Sequence, residues 1–295
     1  MKVGQVGYTA RMANLYVVAT PIGNLSDTSS RAIEVLGLVD GVLAEDRRRT
    51  GILLNHFGID TPLTSLHKHN EASHIPKVLE RLDAGQRLAL VSDAGTPLLS
   101  DPGERLIQAV VEAGYSVVPV PGPSAILTSL MAAGFRTVPF TFYGFAPRKR
   151  GLRQELLEKI AVAEETSVLF ESPARLALLL SDLTLLVEAQ RQVVVAREMT
   201  KIHEEFFRGT MAEAASYYAK RLVRGEVTIV VSPGEMEEAR KAVDEVTARV
   251  LARSFLEDGL SASRTAREVS SRLGIGKNAA YEIVHSLEKG DEGSS

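Results

Sequence analysis

Three loops rich in glycine, proline and small polar residues follow apolar runs directly, and they are the first places to look for chemistry. They are residues 20–25 (Thr-Pro-Ile-Gly-Asn-Leu), 92–103 (Ser-Asp-Ala-Gly-Thr-Pro-Leu-Leu-Ser-Asp-Pro-Gly) and 121–125 (Pro-Gly-Pro-Ser-Ala). Small residues let a backbone approach a ligand closely, while loop amides and Asp93 offer fixed polar partners. One such loop alone reads equally well as a pair of turns. Three at strand ends favour a ligand cleft, because ligands of open α/β sheets gather beyond the carboxyl ends of the strands. No G-x-G-x-x-G follows the first apolar run, and no G-x-x-x-x-G-K-[ST] occurs. NAD and ATP are therefore disfavoured, and a cofactor without phosphates is compatible.

Ionisable residues cluster beside these loops. Glu45 and Asp46 end an apolar run and lead straight into Arg47-Arg48-Arg49; a second basic cluster is Arg148-Lys149-Arg150 with Arg153. Either cluster reads as a solvated surface or as phosphate contacts, and phosphate contacts supply much of the affinity for RNA. His67 and His69 stand near Asn70, Glu71 and His74. With no H-E-x-x-H and no cysteine, a polar substrate wall is expected there rather than a metal site. His203, between Lys201 and Glu204-Glu205, invites a general-base role, although lone histidines are more often surface or packing residues.

The elements that must hold these residues follow from periodicity. Apolar runs at 15–19, 41–44, 88–91 and 117–120 alternate with helical stretches, one of them at 29–39 with Ala32, Val35 and Leu36 on one face. This predicts a mostly parallel sheet covered by helices. After a Pro/Phe-rich connector at 139–147 come a helix at 154–164 and strands at 167–170, 192–196 and 227–231, a second lobe. The polar stretch 233–244 reads as a linker. Helices are expected at 245–257, 263–273 and 277–287, the last two joined by Gly274-Ile275-Gly276 like a helix-turn-helix. Arg264, Arg267, Arg272, Lys277 and Asn278 are available there for phosphates, though such helix pairs also serve dimerisation or packing. Residues 1–13 read as a loose leader and the last five as frayed.

Composition sets the outer bounds. At 295 residues, 45% hydrophobic and 24% charged, the chain has room for two or three domains and no sign of general disorder. The absence of cysteine excludes disulfides, thiolate ligands and a cysteine nucleophile. A net charge of −3 gives no global attraction for nucleic acid, so RNA binding would need local patches. No apolar run approaches the roughly 20 residues of a membrane span, and no signal-peptide core is seen. A soluble cytoplasmic protein is expected.

An ordered series of segments carries a resemblance. It comprises 15–25 (LYVVATPIGNL), Ala44-Glu45-Asp46 with Arg48 and Thr50, His67-x-His69-Asn70-Glu71, 91–103, 118–125 (VPVPGPSA), Phe170-Glu171-Ser172-Pro173, and Arg197-Glu198-x-Thr200-Lys201-x-His203-Glu204-Glu205. The series resembles the tetrapyrrole methylase superfamily, and within it the small-subunit ribosomal RNA methyltransferase I group, over roughly 14–232 and more loosely 245–288.

The resemblance implies an α/β, two-lobed, class III methyltransferase with a small C-terminal helical domain. Domains are expected at 14–128, 135–233 and 245–290. It implies S-adenosylmethionine held in the cleft between the lobes and methylation of the ribose 2′-oxygen of cytidine 1402 in the decoding centre of 16S rRNA. The implied partners are small-subunit ribosomal RNA within an assembling 30S particle and a second copy of the chain in a homodimer, with no membrane. Cofactor contacts are implied at Pro21, Ser92, Asp93, Ala94, Gly95, Ser124, Ala125, Phe170, Ser172 and Thr228. A catalytic wall is implied at Glu45, Asp46, Glu198, Lys201 and Glu204, and RNA contacts at Arg47, Arg48, Arg49, His67, Asn70, Arg148, Arg150 and Arg197. Two departures from the family pattern stand out: Arg47 where threonine is usual, and Ala174 where histidine is usual. Rival readings are a tetrapyrrole C-methylase and a non-catalytic ribosome-binding module; the basic clusters and appended helices favour RNA over a small substrate.

Overall fold

The computed structural model describes residues 14–188, 190–234, 236–273 and 275–291. The expected leader at 1–13, Glu235 of the expected linker, Gly274 of the expected helix connection and residues 292–295 lie outside the described residues. The chain divides after Pro233 into two compact units.

In the first unit, the apolar runs form β1 (Asn14–Val18), β2 (Gly41–Ala44), β3 (Leu63–Ser65), β4 (Leu88–Val91) and β5 (Ser116–Val120), ordered β3-β2-β4-β1-β5 with every pair parallel. β2 and β4 are buried at every position, as befits strands covered on both faces. The covering helices are α1 (Ser30–Leu38), α2 (Arg47–His56), α3 (Glu71–Asp83) and α4 (Glu104–Glu112). On one face Ala32, Val35 and Leu36 of α1 pack with Leu53 and Leu54 of α2; on the other, Val78 and Leu82 of α3 pack with Leu106 and Val110 of α4. Val91 lies opposite both Val18 and Ala44, and Val18 opposite Val120. In-register parallel pairing therefore sends the loops after β1, β2, β4 and β5 out of one edge.

Helix α5 (Ala125–Met131) leads to the second sheet, which holds β6 (Phe140–Phe145), β7 (Thr166–Glu171), β8 (Gln192–Arg197), β9 (Glu205–Thr210) and β10 (Val227–Val231) in the order β6-β7-β10-β8-β9. Only β6 and β7 pair in parallel; the rest are antiparallel. One face is covered by α6 (Arg150–Ala161), α7 (Pro173–Thr184) and α8 (Met211–Tyr218). On the other face Ile126 and Leu130, from α5, pack with Val168, Val194 and Val230. Each such buried aliphatic side chain contributes about 1.5–3 kcal/mol, so α5 fastens the end of the first sheet to the second. The fully buried Arg191 donates to the carbonyls of Ile160, Ala161, Ala163 and Ser232, satisfying the end of α6.

Three strands were not expected from sequence: β3, β6 and β9. All lie at sheet edges, where one flank meets solvent and no continuous apolar run is needed. The expected connector at 139–147 is largely β6.

The second unit holds α9 (Met236–Glu257), α10 (Ala262–Leu273) and α11 (Lys277–Asp291) around Ala248, Ala252, Ala266, Val269, Ala280 and Val284. The expected linker is helical from Met236 onward. Its Glu, Ala, Arg and Lys residues are polar enough to read as a linker, yet they are strong helix formers. Among the described residues no helix is long and apolar enough to cross a membrane.

Candidate active site

The loops leaving the first sheet face the end of β7 and the start of β10 across a cavity of about 440 Å³. The first sheet contributes Ile22, Glu45, Arg49, the backbone turn at 93–96, Asp101 and residues 124–126; the second contributes Phe145, 170–173 and 225–228. Of the expected cofactor residues, Asp93, Ala94, Gly95, Ser124, Ala125, Phe170, Ser172 and Thr228 line this cavity. Pro21 and Ser92 line a smaller adjoining one.

Local hydrogen bonds explain the cavity's shape. Thr20 and Gly95 exchange backbone hydrogen bonds of 2.9 and 3.0 Å, tying the first loop to the second. Gly95 sits at φ +80°, and a Cβ there would press on Ile22 at 3.2 Å, so glycine meets both a conformational and a packing need. The Thr20 hydroxyl donates to Ser92 O at 3.2 Å, while Ser92 Oγ donates to Gly95 O at 3.3 Å. Farther along, Leu98 and Ser100 both adopt φ +77°, and Lys68 Nζ donates to Ser100 O at 3.0 Å. This strained turn carries Asp101 into the cavity wall. Ser124 caps α5, accepting from Leu127 N.

The acidic residues are treated differently by their surroundings. Asp93 Oδ1 accepts from Asp46 N at 2.8 Å. Asp46 caps α2 through Arg48 N at 2.8 Å and is gripped by the Arg48 guanidinium, which together hold its carboxyl down at about 2. Burial, reinforced by Asp93, raises the Glu45 carboxyl above its ordinary value. Burial and the neighbouring Glu45 push Asp101 up to about 6. Arg49 Nε lies 3.8 Å from Asp93 Oδ2.

On the second lobe, Glu198 and Thr200 take left-handed conformations at φ +50° and +66°. Lys201 Nζ donates to Glu198 at 2.8 Å and to Glu226 at 3.1 Å. Burial works to lower the Lys201 pKa, but these two carboxylates outweigh it and hold the ammonium charged. The same ammonium keeps Glu198 low against its own desolvation. Glu204 accepts from Thr200 N at 2.7 Å, and Asn24 N donates to Thr200 Oγ1 at 3.1 Å, linking this loop to the one after β1. Of this group only Glu226 lines the cavity.

The remaining expected residues are spread around the mouth. Arg47 and Arg48 border an open depression with Glu45, Asp46, Leu63 and Ser65. Asn70 accepts from His67 N at 2.8 Å and donates to Ser65 O at 3.1 Å, shaping the turn before α3. Arg197 is engaged by Glu205 at 3.0 and 2.8 Å. Arg148 and Arg150 are exposed at the start of α6, as is His203 on its own loop. Ala174 is exposed in the first turn of α7, beside Arg175, which reaches Glu171 at 3.0 Å. Asp101 and Gly225 were not singled out from sequence. Asp101 stands in the second loop and Gly225 just before β10, the only sequence signals they carry, whereas Glu226 opens the segment 226–229 that the resemblance implies for the cofactor. Among the described residues no group of three or more His, Cys, Asp or Glu side chains is placed to hold a metal ion.

A sequence model of the tetrapyrrole (corrin/porphyrin) methylases matches residues 14–215, the region that builds the first sheet, four of the five strands of the second and most of the cavity. The chain belongs to this family. Within the methylases it belongs with the proteins named ribosomal RNA small subunit methyltransferase I. It is 42% identical to the one from Synechocystis sp. over 277 residues, covering 94% of this chain and 99% of that protein. The Halalkalibacterium halodurans protein of the same name is 39% identical over 273 residues, covering 92% and 94%. Among solved methylases, cobalt precorrin-4 methyltransferase aligns with a TM-score of 0.59 at 18% identity, covering 74% of this chain and 94% of that one. Uroporphyrin-III C-methyltransferase from Thermus thermophilus gives 0.55 at 17% identity, over 74% and 94%. At those identities the solved structures establish a shared fold.

Proposed function

We propose that this chain transfers a methyl group from S-adenosylmethionine to the 2′-oxygen of cytidine 1402 in 16S rRNA. The observation that carries this reading is a carboxylate-walled cavity beside an arginine-rich helix start, in a chain that matches a relative named for rRNA methylation over 94% of its length. The cavity's residues fit the cofactor. Its size falls in the ordinary range for small-molecule sites. Ile22, Ile126, Phe145 and Phe170 offer apolar surface, the 93–96 backbone and Ser124 offer polar partners, and Glu45, Asp93 and Asp101 offer negative charge to a cationic ligand. S-adenosylmethionine supplies an activated methyl on a sulfonium centre.

The chain's own residues then have distinct tasks. Glu45, raised in pKa and at the cavity wall, accepts the ribose proton; burial and the neighbouring Asp93 keep it raised. Asp46, held at about 2, is a weak base and acts by capping the helix that presents the arginines. Lys201 acts as a fixed positive charge that orients Glu226 at the cavity wall, with Glu198 and Glu204 bracing its loop. Arg47, Arg48, Arg148 and Arg150 hold phosphates, with Arg197, His67 and Asn70 shaping the approach. Three domains at 14–128, 135–233 and 245–290, a homodimer in the cytoplasm and an assembling small subunit as substrate complete the proposal, on the strength of the family.

The test is to incubate the protein with unmodified small subunits and methyl-labelled cofactor, then map the label. Label at the 2′-oxygen of the decoding-centre cytidine is expected. Label on a base, or none on RNA with active uptake by a tetrapyrrole, would overturn the assignment.

A further inference from the structure

Beside the large cavity lies a second one of about 210 Å³, and the two share Arg49 and Asp93 as a common wall. Pro21 and Leu25 from the loop after β1, with Ile52 and Leu53 from α2, form its apolar sides. Ile52 lines this cavity and is still 64% exposed, so the wall extends outward to where a bound group would cover it.

The polar wall keeps hydrogen-bonding capacity beyond its own ion pair. Asp93 gives Oδ1 to Asp46 N, which leaves Oδ2 turned toward Arg49 Nε at 3.8 Å, too long for a hydrogen bond. A carboxylate with acceptor capacity and a guanidinium with free reach thus stand side by side on one rim. The group complementary to that pair is flat, with apolar faces, and carries a donor next to acceptors along one edge. The pairing edge of cytosine has that order: an exocyclic amine, then N3, then O2. Uracil reverses the first two, setting O4 against the carboxylate and N3–H against the guanidinium.

The location agrees with the chemistry. A base is joined to its ribose by a single bond, so a 2′-oxygen presented in the large cavity leaves the base within one wall's distance. Arg47 and Arg48 precede Arg49 on the same helix turn, on the solvent side, where flanking phosphates would pass. Enzymes that act on one nucleotide of a structured nucleic acid commonly swing it out into such a pocket.

We propose that the smaller cavity lodges the base of the target nucleotide and selects cytosine, Asp93 accepting from the exocyclic amine and Arg49 donating to N3 and O2. The inference rests on reading the chain as a cytidine ribose methylase, and adds where the base is read and by which atoms.

The experiment compares small subunits carrying the target cytidine with subunits carrying uridine at that position. Initial rates are measured at saturating S-adenosylmethionine for the unaltered protein, Asp93→Asn and Arg49→Met, so that the cytidine-to-uridine ratio is independent of cofactor affinity. The unaltered protein is expected to prefer cytidine by roughly 10- to 100-fold, the discrimination of one good two-point contact. Asp93→Asn should narrow that preference about tenfold, because the amide can donate to O4 while its oxygen still accepts from Asp46 N. Arg49→Met should narrow it too, mainly by slowing cytidine, and carries the test if Asp93→Asn does not fold. If the unaltered protein methylates cytidine subunits and the folded variants keep its ratio, the base site is overturned and the activity stands. If the unaltered protein labels neither subunit, the activity itself falls and this inference with it.

Discussion

Glu45 and Asp46 are adjacent in the chain and chemically alike, yet their surroundings drive them apart. One is half-buried against Asp93 with its pKa raised; the other is clamped by Arg48 and held at about 2. A carboxylate kept that low has little affinity for a proton, so the division of labour follows from position rather than residue type. Asp101 makes the same point for stability. Its carboxyl is pushed up to about 6 in the folded protein from an ordinary value of 3.8. Folding therefore disfavours its charged form: the cost is absent below the unfolded value, grows as pH rises to about 6 and is fully present above. Asp101→Asn should accordingly raise the stability of the cofactor-free protein at pH 7.5 by about 1–2 kcal/mol, with the gain vanishing near pH 4. Urea unfolding at both pH values checks this; an equal effect at the two would sink it. The loop containing Asp101 was legible as a site from its small residues. That Asp101 is desolvated was not, because its burial and the charges of Glu45 and Lys68 beside it come from parts of the fold distant in sequence.

At the scale of elements, the ion cluster of Glu198, Lys201 and Glu226 is held by a turn that only glycine suits. Gly225 sits at φ +89°, and a Cβ there would collide with the Glu198 carboxyl. Gly225→Ala should destabilise the protein by about 1–3 kcal/mol and, by displacing Glu226, weaken cofactor affinity several-fold. Thermal unfolding and calorimetric titration read the two effects separately; an unchanged Tm would show that the turn is not strained. Elements were unequally visible in the chain. Buried β2, β4 and β10 announce themselves as unbroken apolar runs, whereas edge strands β3, β6 and β9 mix polar residues into half-buried segments. Helix α9 was cut short by the same logic in reverse, its charged first turns resembling a linker.

At the scale of the molecule, a net charge of −3 is reconciled with an RNA substrate only through local basic patches. Arg148 and Arg150 are exposed at one helix start. If they meet phosphates, Arg148→Gln with Arg150→Gln should make binding to small subunits less steep in salt, by roughly 1–2 in the slope of log affinity against log salt. Filter binding from low to high salt measures it, and an unchanged slope would return both arginines to the solvated surface. The second unit exposes Arg264, Arg267, Arg272, Lys277 and Asn278 on α10 and α11 as well, so the same titration applies to them.

Sequence by itself determined the parallel first sheet, the three small-residue loops at its strand ends and the family. These depend on local pattern: unbroken apolar runs, helical spacing and small residues in fixed order. Tertiary structure decided what those loops become. Pairing of Thr20 with Gly95, the packing of α5 on the second sheet and the reach of β10 into the cleft bring together residues up to about two hundred positions apart. Their desolvation and mutual charge then decide which carboxyl is raised and which is held low while capping a helix. Those quantities are set by distance in space, which spacing along the chain does not encode.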